Sequence, residues 1–193
     1  LAEVLNGTNV PYALLKGGYL CYKYPLGYRT SNDVDVLLNT KDIDAVSSAL
    51  YAHGFVQGHI RNQTLIPATR LELIQSRMTR GETVPFYKEM ALPHMQFAEV
   101  DLNFSLHESN EQNGVVSELL NRRMKYSAQA THAYTLDKYD FVLHLCAHLY
   151  KEATVMAWVR MNRDLSLYKF MDIYMLLYDW DDEDYKKLLN AAL

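Results

Sequence analysis

The alternation of apolar and polar residues divides the first part of the chain into short strands and helices. Apolar runs bounded by proline or glycine indicate buried strands, and apolar residues three or four positions apart indicate helices. Strands are predicted at residues 11–15, 33–38, 55–60, 84–88 and 97–106. Helices are predicted up to residue 5, over 19–24, and over 41–51 with Thr40 as the N-cap, while 71–78 fits either a helix or a strand.

From residue 113 onward, the composition changes to residues that favour helices. Helices are predicted at 115–125, 138–153, 164–178 and 183–193. The predicted fold class is therefore α+β, with a mixed sheet and helices over residues 1–112, followed by a helical region over 113–193. No linker rich in proline, glycine or serine separates the two parts, so we expect them to pack tightly. Because the chain stops within a predicted helix, we expect the helical region to continue beyond residue 193.

The composition is that of an ordinary globular protein, with 49% hydrophobic and 22% charged residues. The net charge of −4 argues against a general nucleic-acid binder, which needs a clustered basic surface. There is no stretch of about 18 apolar residues that could cross a membrane, and the first residues do not resemble a signal peptide. We therefore expect a cytoplasmic protein with Cys21 and Cys146 reduced, a single disulfide being the alternative.

Gly17 and Gly18 stand between the predicted strand at 11–15 and the predicted helix at 19–24. A strand, a Gly-Gly pair and a helix leave unpaired N–H groups at the positive end of the helix, with no side chain to block a phosphate. A tight turn between two packed elements explains the same pair, because glycine adopts many backbone conformations. The local sequence supports both interpretations.

Two aspartates, Asp33 and Asp35, alternate with valines in the next predicted strand. A period of two places both carboxylates on one face, where a divalent cation such as Mg²⁺ or Mn²⁺ would relieve their repulsion. An edge strand with two solvated acids is the alternative. A third acid, Asp101, lies between apolar residues in a later strand, as Asp35 does, and this favours the metal site.

The order of these features resembles the nucleotidyltransferase fold typified by DNA polymerase beta. The segments LLKGGYL, YRTSNDVDVLL, EVDLNFSLH and DFVLHLCAHLYKE are similar to the uncharacterised bacterial nucleotidyltransferase family, and the similarity extends over residues 10–178. KGG followed by R-x-S-x-D-x-D also resembles the AbiEii-type toxins, which share the fold. The resemblance implies a polymerase-beta-like core that binds an NTP.

The resemblance assigns the catalytic and metal-binding roles to three acids. It implies that Asp33 and Asp35 hold two Mg²⁺ (or Mn²⁺) ions and that Asp101 completes the site where the acceptor hydroxyl is activated. Many relatives have histidine two positions after the third acid, where this chain has Asn103. His107 lies on the same strand face if the strand stays regular. Whether Asn103 or His107 replaces that histidine is open.

The resemblance also implies a nucleotide-binding set close to the Gly-Gly pair. In relatives with Gly-Ser, the serine hydroxyl touches phosphate; Gly18 has no hydroxyl, so backbone N–H groups or Ser31 would substitute. Lys16 and Arg29 are expected to neutralise phosphate charge. The alternatives are ordinary solvation for Lys16 and a salt bridge to Asp33 or Asp35 for Arg29. The implied nucleotide-binding residues are Gly17, Gly18, Arg29, Ser31 and Lys16.

Two histidines, His144 and His148, lie four positions apart on one predicted helix face. This spacing can hold zinc, but the glutamate of an H-E-x-x-H site is absent, so core or cleft histidines are favoured. His148 and Lys151 match a loose family motif, H-L-x-K. We place both, with His107 and Asn103, in a second tier of residues that line the substrate-binding wall.

The sequence therefore predicts a Mg²⁺-dependent nucleotidyltransferase. It would transfer an NMP from an NTP to an unidentified small-molecule, peptide or saccharide acceptor and release pyrophosphate. One alternative is an AbiEii-like toxin that acts on tRNA. Another is a degenerate, non-catalytic module that binds a nucleotide or a partner protein. A membrane partner is not expected.

Overall fold

The computed structural model describes residues 1–79, 81–106, 114–128, 131–162 and 165–191. Its strands are β1 (Tyr12–Leu14), β2 (Asp33–Leu38), β3 (Val56–Arg61), β4 (Thr64–Pro67), β5 (Phe86–Leu92), β6 (Met95–Asn103), β7 (Met124–Ala128) and β8 (Thr131–Thr135). Its helices are α1 (Ala2–Gly7), α2 (Gly17–Leu20), α3 (Ile43–Ala52), α4 (Arg70–Thr79), α5 (Val115–Arg122), α6 (Lys138–Thr154), α7 (Met156–Arg160), α8 (Leu167–Leu177) and α9 (Asp182–Ala191), with a 3₁₀ turn at Thr40–Asp42.

Within these residues, eight strands form one mixed sheet in the order β4-β3-β5-β6-β2-β1-β8-β7. Strand β2 lies in the middle, antiparallel to β1 and parallel to β6. Strands β1 and β8 are also parallel, and the remaining neighbours are antiparallel. Helices and a mixed sheet together confirm the predicted α+β fold class.

Apolar residues from the two faces of the sheet form two separate core clusters. On one face, α1 and α3 cover β1, β2 and β6; on the other face, α2, α5, α6 and α8 cover β1 and β2. Alternation along β2 sends Val36 to the first cluster and Leu37 to the second. The second face is the one that carries the acids discussed below.

Most predicted elements are found, with corrections at their ends. Residues 71–78 are helical, as part of α4. The helix expected at 19–24 begins earlier, at Gly17, and ends at Leu20. Thr40 is not the N-cap of α3, because it begins the 3₁₀ turn and Asp42 holds the cap position.

The part of the chain beyond residue 113 is not purely helical, and this corrects the expectation. The helix predicted to reach residue 125 ends at Arg122, and the hairpin of β7 and β8 follows. Strand β8 pairs with β1, so residues beyond 113 extend the same sheet. The expected boundary at residues 112 and 113 lies outside the described residues, and the division into two regions stays a prediction. No helix in the described ranges is long and apolar enough to cross a membrane.

Candidate active site

The acids of β2 and β6 lie side by side on one face of the sheet. The parallel register sets Asp35 opposite Asp101, and it sets Asp33 opposite Glu99. Asp33 and Asp35 have the same parity as Leu37, which belongs to the cluster under α2, α6 and α8. The three acids predicted from the sequence are therefore brought together, and Glu99 joins them.

Burial gives these carboxylates unusual electrostatics. Asp35 is 6% exposed, and Oδ1 of Asp101 is buried with no hydrogen-bond partner. Burial, followed by the charges of Asp35, Glu99 and Asp33, raises the pKa of Asp101 from 3.8 to about 8. Burial also raises the pKa of Glu99, although its carboxylate accepts a 2.7 Å hydrogen bond from the Tyr87 hydroxyl. The like charges of this face therefore raise the free-energy cost of ionising Asp101.

Lys16 supplies a positive charge to this face. Its Nζ lies 3.3 Å from both carboxylate oxygens of Asp35. Burial alone would lower the pKa of the Lys16 ammonium, but the charge and hydrogen bond of Asp35, with the charges of Asp33 and Glu152, raise it overall. Asn103 donates a second, 3.3 Å hydrogen bond to Oδ1 of Asp35. Lys16 is therefore not simply solvated.

The Gly-Gly pair allows α2 to pack closely against the strand and loop beside it. A Cβ on Gly17 would overlap the side chain of Ser31, and one on Gly18 would lie 3.1 Å from Cβ of Leu14. The Gly18 N–H donates to the Leu15 carbonyl at 3.0 Å, and α2 has only four residues. The Gly18 N–H is therefore not one of the unpaired groups expected at the start of this helix, because it is already bonded.

Ser31 lies between Gly17 and the acids. Its hydroxyl donates a 3.0 Å hydrogen bond to Oδ1 of Asp33. The close approach that Gly17 permits thus holds Ser31 beside Asp33. This contact connects the α2 turn with the carboxylate face.

Arg29 is engaged away from the acids of β2. Its Nε and Nη2 each donate a 3.0 Å hydrogen bond to the carboxylate of Asp172 on α8, and the Tyr24 hydroxyl donates to the same group at 2.8 Å. The guanidinium also lies 5.4 Å from the ring centroid of Tyr168. The salt bridge considered with Asp33 or Asp35 is therefore wrong, and this geometry gives no support to a phosphate contact by Arg29.

Helix α6 forms a wall of the carboxylate face. The rings of His144 and His148 stack with centroids 6.2 Å apart, and Nε2 of His144 is buried without a hydrogen-bond partner. Nε2 of His148 lies 3.5 Å from Glu152, which forms a 2.6 Å ion pair with Lys169 of α8. Glu152 is buried. The wall is thus a polar network between α6 and α8.

The charge of Lys16 connects this wall to the acids. Burial and then the charge of Lys16 lower the pKa of His144 to about 4. For His148, burial, then Lys16, His144, Lys169 and Lys151, lower the pKa to about 3. Both imidazoles are therefore neutral near pH 7. Of the other second-tier residues, Asn103 contacts Asp35, whereas His107 lies outside the described residues.

Glu99, Glu152 and Lys169 are residues that sequence reasoning missed. Glu99 has a local signal, because it lies two positions before Asp101 and shares its strand face. Glu152 and Lys169 have none, since their pairing joins two helices that no periodicity relates. All three belong to the charge balance of the site.

The donor set fits a divalent cation, although no cluster is preassembled. In the described ranges, no three His, Cys, Asp or Glu side chains converge as a ready metal-binding group. The unpartnered Oδ1 of Asp101, opposite Asp35 and beside Asp33, is nevertheless the kind of hard oxygen ligand that Mg²⁺ prefers. Buried carboxylates with raised pKa are also the groups that a cation stabilises most.

Comparison with known proteins gives a family and a fold. The family model described as "Uncharacterised nucleotidyltransferase" matches residues 1–192. No curated protein sequence matches the chain.

Solved structures share the fold at low sequence identity. An antigenic nucleotidyltransferase-like protein from Paracoccidioides brasiliensis is 15% identical, with a TM-score of 0.54 over 91% of this chain and 71% of that one. The antibiotic-resistance factor ANT(2'')-Ia, in solution, is 8% identical, with a TM-score of 0.52 over 98% of this chain and 85% of that one. The crystal structure of ANT(2'')-Ia with adenylyl-2''-tobramycin is 7% identical, with a TM-score of 0.52 over 98% of this chain and 90% of that one.

Proposed function

The chain belongs to the uncharacterised nucleotidyltransferase family, and from this membership we propose that it transfers an NMP from an NTP to an acceptor and releases pyrophosphate. The observation that carries the proposal is the pairing of Asp35 with Asp101 on neighbouring parallel strands, beside Asp33. Three acids on one sheet face, lined by a helical wall, suit a reaction in which phosphate charge is concentrated at one point.

The proposed cofactor is Mg²⁺ or Mn²⁺, as two ions held by Asp33, Asp35 and Asp101. The fit rests on the unpartnered carboxylate oxygen of Asp101 and on the like charges around it. When bound, such ions neutralise the triphosphate and activate the attacking oxygen.

The chain's own residues supply positioning and proton transfer in this proposal. Asp101 is the proposed general base, which would take the proton of the acceptor group, because its carboxylate lies beside Asp33 and opposite Asp35 on the face where the acceptor would react. Lys16 and Ser31 would bind phosphate oxygens, and their contacts with Asp35 and Asp33 support this role. Helices α6 and α8 would close one side of the site and orient the acceptor, and the ion pair between Glu152 and Lys169 holds the two helices together there.

We further propose a small-molecule, peptide or saccharide acceptor and a cytoplasmic location. The net charge of −4 disfavours a nucleic-acid acceptor. ANT(2'')-Ia, which shares the fold, has been solved with an adenylylated antibiotic, and this is compatible with a small acceptor here. Cys21 and Cys146 are free thiols, as expected in a reducing compartment.

Calorimetry with ATP, GTP, CTP and UTP, with and without Mg²⁺, tests the proposal. We expect the wild type to bind one or more of them only with Mg²⁺, and Asp33→Asn to lose that binding. Asp179→Asn, at an exposed aspartate outside the site, is the matched control and should bind as the wild type does. Equal binding by Asp33→Asn, or no binding of any NTP by folded wild type, would contradict the proposal.

A further inference from the structure

Lys16 has a backbone conformation that non-glycine residues rarely adopt. Its φ is 41° and its ψ is −120°, and its carbonyl accepts the Leu20 N–H at 2.8 Å and the Tyr19 N–H at 3.1 Å. Such conformations cost on the order of 1–3 kcal/mol and persist where the surroundings impose them. Here this conformation begins α2 and places the Lys16 side chain against Asp35.

The ammonium of Lys16 contacts the carboxylate group that the proposed function assigns to metal binding. Nζ lies 3.3 Å from Oδ1 and 3.3 Å from Oδ2 of Asp35, so it engages both oxygens. Asn103 uses a further lone pair of Oδ1. A carboxylate offers about four lone-pair sites. A divalent ion on Asp35 would share these sites with a positive charge, and the two cations would repel each other.

A second anionic group lies within electrostatic range of Lys16. The charge of Glu152 acts on the Lys16 ammonium, and the charge of Lys16 acts in turn on His144 and His148 of α6. Glu152 already has Lys169 at 2.6 Å, which leaves it a weaker attraction for another cation. We therefore expect the phosphates of an incoming nucleotide to attract the Lys16 ammonium more strongly than Glu152 does.

We propose that Lys16 is a built-in counter-ion that holds Asp35 in the nucleotide-free protein and moves to the phosphates when a nucleotide binds, which frees Asp35 for a divalent cation. This inference rests on the proposed function. It makes nucleotide and metal binding mutually dependent, because each ligand then raises the affinity for the other by the same factor. Without nucleotide, Lys16 keeps the affinity for metal low.

The test is a titration of the nucleotide-free chain with Mn²⁺, in which the EPR signal of free Mn²⁺ measures how much of the ion is bound. Lys16→Met removes the charge at similar length, and we expect it to bind Mn²⁺ about tenfold or more tightly than the wild type, given the strength of charge interactions at this distance. Lys41→Met removes an exposed lysine and is the matched control, expected within about twofold of the wild type. Lys16→Arg keeps the charge and should resemble the wild type.

A second arm repeats the titrations with ATP present. Because ATP itself binds Mn²⁺, each titration is compared with one that contains the same ATP and no protein. Beyond that blank, we expect ATP to tighten Mn²⁺ binding strongly in the wild type and much less in Lys16→Met, since the competing charge is already gone. If Lys16→Met does not fold, as judged by circular dichroism, Lys16→Gln replaces it with the same expectation.

The outcomes separate this inference from the proposed function. Equal or weaker Mn²⁺ binding by Lys16→Met, with metal binding by the wild type in the presence of ATP, overturns the role of Lys16 alone. An absence of Mn²⁺ binding by wild type and variants, with and without ATP, overturns the proposed metal site and this inference with it.

Discussion

Asp35 and Asp101 lie directly opposite each other on the parallel strands β2 and β6. In a sheet, residues in register on neighbouring strands project to the same face, so the two carboxylates share one environment. Asp33 and Glu99 form a second such rung two residues away. Like charges opposite each other destabilise a sheet, and the arrangement is therefore one that a cation or a proton must compensate.

Substitution of Asp33 tests whether its carboxylate serves catalysis or the stability of the fold. Asp33 is half-buried and hydrogen-bonded to Ser31, whereas Asp35 is buried and ion-paired. We expect Asp33→Ala to abolish metal-dependent nucleotidyl transfer while changing the free energy of unfolding by less than about 1 kcal/mol. Pyrophosphate release and urea unfolding measure the two effects. Unfolding of the variant would assign Asp33 a structural role, and Asp179→Ala is the control.

The raised pKa of Asp101 predicts a pH dependence of the metal-free protein. Because the folded-state value of about 8 exceeds the ordinary 3.8, the protonated carboxyl favours the folded state. The contribution is complete below about pH 4 and is lost as the pH rises to about 8. We expect Asp101→Asn to remove this decline and saturating Mg²⁺ to reduce it. Urea unfolding from pH 4 to 9 measures both effects. If the free energy of unfolding changes with pH equally in the wild type and in Asp101→Asn, the prediction is contradicted.

The pair of Arg29 and Asp172 should anchor the loop that carries Ser31 to α8. The two side chains are 13% and 6% exposed and form two 3.0 Å hydrogen bonds. Removal of either partner leaves a largely buried charge, so Arg29→Ala should lower the free energy of unfolding by about 3 kcal/mol. We expect the double variant with Asp172→Ala to lose less than the sum of the single losses.

The control for this pair is an exposed ion pair on α9. Lys187 and Glu183 are 54% and 72% exposed, so Lys187→Ala should change the free energy of unfolding far less than Arg29→Ala does. Additive losses at Arg29 and Asp172 would show that the two residues do not stabilise each other.

The buried, unpartnered Nε2 of His144 predicts a gain in stability on its removal. Its pKa of about 4 lies below the ordinary 6.5, so the stability contributed by the neutral ring is lost as the pH falls from about 6.5 through 4. His144→Phe keeps a ring and removes the unsatisfied atom, and we expect it to raise the free energy of unfolding by about 1 kcal/mol at pH 5. A loss of stability at that pH would show that Nε2 has a partner in solution.

Gly17→Ala tests the contact between the α2 turn and Ser31. The added Cβ would overlap the Ser31 side chain, so Ser31 must move away from Asp33. We expect NTP binding to weaken about tenfold or more, since displacement of a positioning residue has effects of this order. Gly7→Ala, where an added Cβ meets nothing within 4 Å, is the control and should leave binding unchanged. Unchanged binding by Gly17→Ala would show that the position of Ser31 is irrelevant.

Local sequence patterns were sufficient to predict β2, β6 and the face that carries their acids. The alternation Asp33-Val-Asp35-Val fixes side-chain parity wherever the strand forms, because successive residues point to opposite faces. The same reasoning gave the α+β class and the Asp33, Asp35 and Asp101 set. It failed at β7 and β8, whose short strands follow a helix within a segment rich in helix formers.

The sequence by itself therefore determined that Asp33 and Asp35 share a face of one strand, while the tertiary structure brought Asp101 and Glu99 beside them and decided which cations oppose these acids. Arg29 and Asp172 are 143 positions apart, and Lys16 and Asp35 are 19 apart. Charged side chains pair through space with whichever partner the fold brings within about 4 Å, and no periodicity records that choice. Because α8 packs on α6 and on the loop before β2, Arg29 pairs with Asp172, and Lys16 is the cation that pairs with Asp35.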